Sequence, residues 1–241
     1  MRIIVCKNYE ELSEKGAKLF LSQLLLKPDS VLGLATGSTP IGLYKKLIEY
    51  YNDGEVDFSE ARSFNLDEYY PISPDNSQSY RYFMNENFFK HINIDIAKTE
   101  VPNGMCDDPE AECDRYDRLI DEAGGIDIQL LGIGRNGHIG FNEPDEALTV
   151  TTHVTDLTES TIEANARFFE SADEVPKKAI TMGIASILKS RKIVMLVSGK
   201  EKHEALSALL DDSITCTNPA TMLKAHPDVV IICDEAAYEG K

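Results

Sequence analysis

The segment Val31-Leu-Gly-Leu-Ala-Thr-Gly-Ser-Thr-Pro40 carries the clearest structural signal in this chain of 241 residues. Val31–Ala35 is apolar without alternation, which is typical of a strand buried on both faces of a parallel sheet. Three hydroxyl residues and a glycine follow, and Pro40 suits the first position of a helix, which we predict over Ile41–Tyr51. A buried strand that runs through a tight turn into a helix is the repeating unit of an α/β fold.

The same alternation continues on both sides of this segment. Further strands are predicted at Ile3–Cys6, Arg62–Leu66, Ile126–Ile133, Lys192–Val197 and Val229–Cys233. Helices are predicted at Leu12–Leu26, behind a capping box of Asn8 and Glu11, and at Ser77–His91, Pro109–Ala123, Ser160–Phe169, Pro176–Ser190 and Glu201–Leu210. The pattern predicts a doubly wound, mainly parallel sheet with helices on both faces. Without repeats or Gly/Ser linkers, we expect a single domain over residues 1–241.

The chain is strongly acidic, with 41 Asp and Glu against 24 Lys and Arg and a formal net charge of -17. This balance argues against nucleic acid or an anionic membrane as the main partner, although a small anion needs only a local basic pocket. The five cysteines include no C-x-x-C pair, and nothing near Cys106 and Cys113 completes a metal site. The apolar runs are too short for a signal or membrane segment, so we expect a cytoplasmic protein and leave a homo-oligomer open.

Ligands of open α/β sheets bind beyond the carboxyl ends of the strands, which directs attention to the residues after Ala35, Leu66, Ile133 and Val197. After Ala35, Thr36-Gly37-Ser38-Thr39 combines backbone amides at a helix N-terminus with two kinds of hydroxyl, as anion sites do. A capped helix after a tight turn explains these residues equally well. No Lys-Ser/Thr follows the glycine, so this is not a Walker A loop.

Two further segments carry acid–base candidates. Asp67 directly follows the strand Arg62–Leu66 and suits a general base, although a solvated acidic turn before Pro71 is the simpler interpretation. A lone histidine is more often structural than catalytic, but the position of His138 in a glycine-dense loop, five residues before Glu143, shifts the interpretation towards catalysis. The formal G-x-G-x-x-G from Gly132 is not a dinucleotide site, because Gly140 and Pro144 interrupt any following helix.

Two cations complete the candidates. Lys202 is predicted in the first turn of a helix, where a positive charge opposes the helix dipole and suits a bound anion. Arg167 lies in Asn165-Ala-Arg-Phe-Phe169. Either residue is equally explained as a surface charge.

Five separated motifs occur in one order: Leu34–Pro40, Phe64–Tyr69, Gly134–Pro144, Asn165–Phe169 and Val230–Glu235. With them the chain resembles the glucosamine-6-phosphate deaminase family, also called glucosamine-6-phosphate isomerases, from Met1 almost to its last residue. The resemblance implies a modified Rossmann-like sheet. It also implies conversion of glucosamine 6-phosphate and water to fructose 6-phosphate and ammonia, without a cofactor or metal.

The resemblance also implies roles for individual residues. Asp67 matches the base that moves a proton between C2 and C1, and His138 matches the group that opens the sugar ring with support from Glu143. The phosphate pocket is matched by Thr36, Gly37, Ser38, Thr39, Arg167 and Lys202. Asn136 stands where many relatives have Asp. We expect its side-chain carbonyl to accept the imidazole N–H of His138.

Some allosteric relatives bind N-acetylglucosamine 6-phosphate through basic residues near positions 153 and 155 and through a longer tail. Because His153 and Thr155 stand there and the sequence stops at Lys241, we expect hyperbolic kinetics without activation by that sugar. Two other functions are weighed. A 6-phosphogluconolactonase needs no proton shuttle and leaves Asp67 unexplained. A sugar-phosphate sensor of the transcription-factor type needs a DNA-binding module, for which the α/β pattern leaves no segment.

Overall fold

The computed structural model describes residues 1–158 and 176–240. Its strands are β1 (Arg2–Cys6), β2 (Val31–Leu34), β3 (Arg62–Asn65), β4 (Asp67–Tyr70), β5 (Thr99–Glu100), β6 (Ile128–Leu131), β7 (His153–Asp156), β8 (Lys178–Thr181), β9 (Lys192–Val197) and β10 (Val229–Asp234). The α-helices are α1 (Tyr9–Leu26), α2 (Ile41–Asn52), α3 (Tyr80–Asn87), α4 (Pro109–Glu122), α5 (Ile184–Leu188), α6 (His203–Leu210) and α7 (Glu235–Glu239). Short 3₁₀ helices cover Phe89–His91, Ile96–Lys98, Lys200–Lys202 and Pro219–Ala225.

The main sheet has seven strands in the order β1-β10-β9-β6-β2-β3-β5, and every pairing is parallel. From β2 the chain proceeds outwards through β3 to β5, then returns to β6 on the other side of β2 and proceeds to β9 and β10. The order therefore reverses between β2 and β6. In doubly wound sheets the ligand crevice opens at this reversal, beyond the carboxyl ends of the strands.

A second sheet of three antiparallel strands, β4-β8-β7, begins where β3 ends. Leu66 joins the two sheets. Its amide donates to Leu34 O at 3.0 Å, and its carbonyl accepts from Met182 N at 2.8 Å. In the small sheet, Thr181 of β8 is paired with Asp67 on one side and with His153 on the other. The first residue of β4 is therefore fixed relative to the main sheet by backbone hydrogen bonds.

The core lies between the main sheet and its flanking helices. All four residues of β2 and all six of β10 are buried, which confirms that these apolar runs are two-sided parallel strands. Helix α1 begins as predicted, because Asn8 Oδ1 accepts from Glu11 N at 2.9 Å while the Glu11 carboxylate accepts from Lys7 N at 2.8 Å. No described helix is long and apolar enough to cross a membrane.

The α/β prediction is confirmed, but two predicted helices were wrong in extent or kind. Within Pro176–Ser190, Lys178–Thr181 is the central strand of the small sheet and only Ile184–Leu188 is helical. Pairing with β4 and β7 on both sides overrides the local helical pattern. The predicted helix Ser77–His91 is reduced to α3, whose N-cap is Ser79, followed by a separate 3₁₀ turn. Ser160–Phe169 lies outside the described residues.

Two further strands of the small sheet occur where none was predicted. The acidic residues after Leu66 form β4 instead of a solvated turn, and His153–Asp156, beyond the glycine-dense loop of His138, forms β7. Both strands belong to the small sheet, which has no local signal as strong as the apolar runs of the main sheet. Finally, the predicted strands of the main sheet are confirmed with their ends shifted by one or two residues.

Candidate active site

The turn after β2 borders the point of strand reversal. The buried Tyr44 hydroxyl holds its start, donating to Ala35 O at 2.6 Å and accepting from Ala35 N at 3.2 Å. Tyr9 holds its end through a hydroxyl that donates to Thr39 O at 2.9 Å and accepts from Gly42 N at 2.8 Å. Gly37 has a φ of 96°, which strongly favours glycine. No described protein group accepts the backbone N–H of residues 36–39, which leaves these donors available at the N-terminus of α2.

Asp67 opens β4 at the same edge and is 6% exposed. Burial, assisted by the charge of neighbouring Glu68, raises the pKa of its carboxyl to about 8. Gly140 of the glycine-rich loop lies against it: a Cβ there would stand 3.4 Å from Asp67 Oδ2 and 2.9 Å from Thr181 Oγ1. The absence of a side chain at Gly140 lets this loop pass over the carboxyl. A carboxyl with a near-neutral pKa suits a general base.

The position of the His138 ring is set by the loop in which it lies. Its backbone carbonyl accepts from Gly134 N at 2.8 Å, and its ring occupies the space that a side chain at Gly134 would fill. The ring Nδ1 lies 3.2 Å from Glu143 Oε2. A carboxylate at this position accepts Nδ1–H and leaves Nε2 as the free nitrogen of the neutral ring. The structure thus brings together the predicted pair of His138 and Glu143.

Asn136 belongs to this group, although in a different way from the one expected. Its Nδ2 donates to Glu143 Oε2 at 2.6 Å, and its Oδ1 accepts from the backbone N–H of His138 at 3.2 Å. The expectation that its carbonyl accepts the imidazole N–H was therefore wrong. The return of the chain at residues 139–142 brings the Glu143 carboxylate to Nδ1 instead. Asn136 orients the carboxylate that orients the ring.

The contact between Asn136 and Glu143 determines the expected effect of Asn136→Asp. The new carboxylate would lie against Glu143, and the doubled negative charge would stabilise the protonated imidazole of His138. We expect protonation of the His138 imidazole to occur at higher pH in Asn136→Asp than in wild type, measured by NMR of the ring protons. Asn136→Ser, which adds no charge, serves as the control. An unchanged imidazole titration in Asn136→Asp would show that position 136 has no electrostatic effect on the histidine.

Lys202 lies at the end of the 3₁₀ turn that precedes α6, not inside an α-helix as predicted. Gly199, with a φ of 96°, turns the chain there, and the buried Asp234 fixes the turn by accepting from Ser198 Oγ at 2.5 Å and Gly199 N at 3.1 Å. Lys202 Nζ donates to Ile133 O at 2.7 Å, which places it over the end of β6 beside β2. Burial, together with the positive charge of Arg135, lowers its pKa.

The structure therefore gathers Asp67, Asn136, His138, Glu143 and Lys202 at the edge that also carries Thr36–Thr39. Arg167 lies outside the described residues. Sequence reasoning missed Arg135, although it lies inside the glycine-rich motif. It also missed Asn218, which packs against Gly137, while the neighbouring Ala220 N donates to Gly137 O at 2.9 Å. Since about 80 residues separate this support from the loop, no local pattern could reveal it.

Among the described residues, no three His, Cys, Asp or Glu side chains are grouped as ligands for a metal ion. The polar groups of the crevice are amides, hydroxyls, one carboxyl, one imidazole–carboxylate pair and two cations. Such a set is suited to binding an anion and to exchanging protons.

Residues 9–231 match the family model described as glucosamine-6-phosphate isomerases/6-phosphogluconolactonase. The chain belongs to this family. The glucosamine-6-phosphate deaminase of Clostridium perfringens strain 13 is 59% identical over 237 residues, which cover 98% of each chain. That of Halothermothrix orenii is 57% identical over 237 residues, with the same coverage. The predicted family resemblance is confirmed.

Two solved structures are similar to this chain over nearly its whole length. A structure described as a monomeric glucosamine-6-phosphate deaminase superposes with a TM-score of 0.97 at 48% identity, and the match covers 100% of both chains. The 6-phosphogluconolactonase of Thermotoga maritima gives a TM-score of 0.78 at 22% identity, covering 97% of this chain and 99% of that one. The lactonase shares the fold alone, whereas these three deaminases are 48–59% identical to this chain. The chain is thus a family member of the deaminase type.

Proposed function

We propose that this crevice converts glucosamine 6-phosphate and water to fructose 6-phosphate and ammonia, with Asp67 as the base of the isomerisation. The observation that carries the proposal is a buried carboxyl with a pKa of about 8 beside an imidazole–carboxylate pair, at the strand reversal of the sheet. Both acid–base functions that an aldose–ketose isomerisation needs are thereby supplied. The deaminase relatives support the substrate.

The phosphate is proposed to bind at the turn after β2. The N–H groups and hydroxyls of residues 36–39 offer several donors at the N-terminus of α2, and anions bind well at such termini. Lys202 and Arg135 add positive charge from the neighbouring strand ends. Arg167 is assigned to the same pocket from the family resemblance alone.

His138 is proposed to open the pyranose ring. In the neutral tautomer favoured by Glu143, Nε2 takes the proton of the C1 hydroxyl and returns a proton to the ring oxygen as the C1–O5 bond breaks. The product is an open-chain aldehyde. Glu143 stabilises the transient imidazolium, and Asn136 keeps Glu143 in place.

Asp67 then transfers hydrogen within the open chain. Its carboxylate removes the proton from C2 and, through an enolamine, delivers a proton to C1, so that C2 becomes an imine. Water adds to C2, and the carbon–nitrogen bond breaks to release ammonia and leave the C2 ketone of fructose 6-phosphate. Because the carboxyl is buried and its pKa is near neutrality, it exchanges protons in both directions at physiological pH.

The direct test is to supply the purified protein with glucosamine 6-phosphate and measure ammonia and fructose 6-phosphate together. Equal amounts of the two products are expected. Hydrolysis of 6-phosphogluconolactone is assayed in parallel, because the fold is shared with lactonases. Lactone hydrolysis without ammonia release would overturn the proposal and assign the chain to the other activity of the family.

Lys202→Met tests the phosphate end of the site. We expect KM for glucosamine 6-phosphate to rise about 10–100-fold, since a hydrogen bond to a charged group contributes roughly 1.5–3 kcal/mol. Inhibition by inorganic phosphate should weaken in parallel. Lys200→Met is the matched control, because Lys200 lies in the same turn but is exposed. If phosphate inhibition is unchanged in Lys202→Met, the lysine only supports the end of β6.

A further inference from the structure

Glu68 is a second buried carboxylate directly beside Asp67. Side chains alternate along a strand, so Glu68 projects from the opposite face of β4. It is 2% exposed. Three backbone N–H groups hold its carboxylate, from Tyr69 at 2.9 Å, Tyr80 at 2.8 Å and Arg81 at 2.9 Å. The mechanism proposed above assigns no role to Glu68. A carboxylate is almost never buried this deeply unless it is paired with other groups.

The contacts of Glu68 lead back to the crevice. Tyr80 and Arg81 are the first two residues of α3, so Glu68 fixes the N-terminus of that helix. The Tyr80 ring stacks on Phe141 with the ring planes 3° apart and the centroids at 6.1 Å. Phe141 follows Gly140, which lies against the Asp67 carboxyl, and its amide donates to Thr181 Oγ1 at 3.1 Å. One carboxylate thereby anchors a wall of the loop that covers Asp67.

Glu68 also acts on Asp67 through its charge. Tyr80 from α3 and Tyr116 from α4 are neutral, because burial raises the pKa of each well above its ordinary value. Arg81 faces Glu68 and partly offsets its charge. Further titratable groups on the surrounding elements are Glu100 of β5 and Arg115 of α4, which line a cavity together with Glu68. On the side of Asp67 they include His138 and Glu143 of the covering loop and His153 of β7. Glu68 is the charge that contributes to the raised pKa of Asp67.

Glu68 also borders a cavity outside the proposed site. A cavity of about 250 Å³ is lined by Glu68, Arg81, Glu100 and Arg115, among others. Burial raises the pKa of Glu68 to about 7, and the three N–H groups and Arg81 work against that rise. The three N–H donors and the cation therefore stabilise the ionised form of Glu68.

We infer that Glu68 is a positioning residue for the proposed base: its charge on the far face of β4 makes Asp67 a stronger base, and its hold on α3 keeps the Tyr80–Phe141 stack in place. The inference rests on the proposed role of Asp67. It gives the Asp67-Glu68 pair of the motif two different functions, one in contact with the substrate and one behind it.

The test compares pairs of variants that differ in charge but not in shape. Wild type is paired with Glu68→Gln, and Glu68→Asp with Glu68→Asn, so the second pair remains informative if Glu68→Gln does not fold. Within each pair, we expect the neutral member to show the acidic limb of kcat/KM at a pH lower by on the order of one unit. Its plateau at high pH should fall about 2–10-fold, because a weaker base transfers protons less well.

Ser79→Ala is the structural control. Ser79 caps α3 by accepting from Tyr82 N at 3.0 Å and changes no charge near Asp67. It should lower thermal stability and leave the limb in place. If the limb has the same position in both members of each pair while Asp67→Asn is inactive, the inference is overturned and Glu68 is only a helix anchor. If Asp67→Asn retains full activity, the proposed function fails instead.

Discussion

Asp67→Asn is expected to reduce kcat for glucosamine 6-phosphate by about 10²–10⁴-fold, the usual cost of losing a general base. KM should change little, because the amide keeps the shape of the side chain and the anion-binding turn is untouched. Steady-state kinetics with ammonia detection measure both constants. Asp75→Asn, which changes an exposed carboxyl in the loop after β4, is the matched control and should behave as wild type. Near wild-type kcat in Asp67→Asn would remove this residue from the mechanism.

Asp67→Asn should increase thermal stability at high pH, although it reduces kcat. The pKa of the Asp67 carboxyl is raised on folding, so the folded state binds a proton that the unfolded state has already lost. Its contribution to the free energy of unfolding is therefore fully present below the unfolded pKa near 4 and is lost as the pH rises towards 8. Asp67→Asn removes that loss. We expect its Tm to exceed that of wild type at pH 8–9, at about 2–4 °C per kcal/mol, and to match wild type near pH 4.

Glu143→Gln is the other substitution with a large expected effect. The carboxylate accepts from both Asn136 Nδ2 and His138 Nδ1, and an amide at this position can instead present N–H to the ring and select the wrong tautomer. In the serine-protease triad, the corresponding Asp→Asn change costs about 10⁴-fold in kcat. We expect a loss of about 10²–10⁴-fold here. Glu146→Gln, in an exposed part of the same loop, is the matched control.

Combining Glu143→Gln with His138→Asn separates catalysis from simple damage to the loop. If the carboxylate acts only through the imidazole, the double variant should be no slower than His138→Asn alone, because residues that act as a unit are not additive. Losses in kcat that multiply would show that Glu143 has an independent role. Thermal unfolding of the single variants checks that the loop remains folded.

The main sheet was predictable because its strands carry their own signal. The runs at β2, β9 and β10 are apolar on both faces, and only a buried parallel strand explains them. The carboxyl-end rule then pointed to the turn after β2 and to Asp67 before any geometry was known. Those parts of the site follow from local sequence and a general property of α/β sheets.

The small sheet and the role of Asn136 were not predictable in the same way. Lys178–Thr181 looks helical locally, and its strand form depends on two partners more than 20 residues away in the chain. Asn136 was assigned to the imidazole because it stands where many relatives have Asp, yet the amide contacts Glu143. Which of several neighbouring polar groups pair is decided by how the loop closes, and spacing alone does not specify that.

Leu66 fixes the distance between the two ends of the crevice. Through its amide and carbonyl it bonds to Leu34 of β2 and to Met182 next to β8, so the turn proposed for phosphate and the carboxyl proposed as base are spaced by main-chain hydrogen bonds. Side-chain substitutions can weaken the turn proposed for phosphate or the carboxyl proposed as base without changing the distance between them. On the proposed assignment, the site therefore selects substrates by the number of carbons between the phosphate and C2. An amino sugar phosphate one carbon shorter can occupy the anion turn, but its C2 hydrogen then falls short of Asp67.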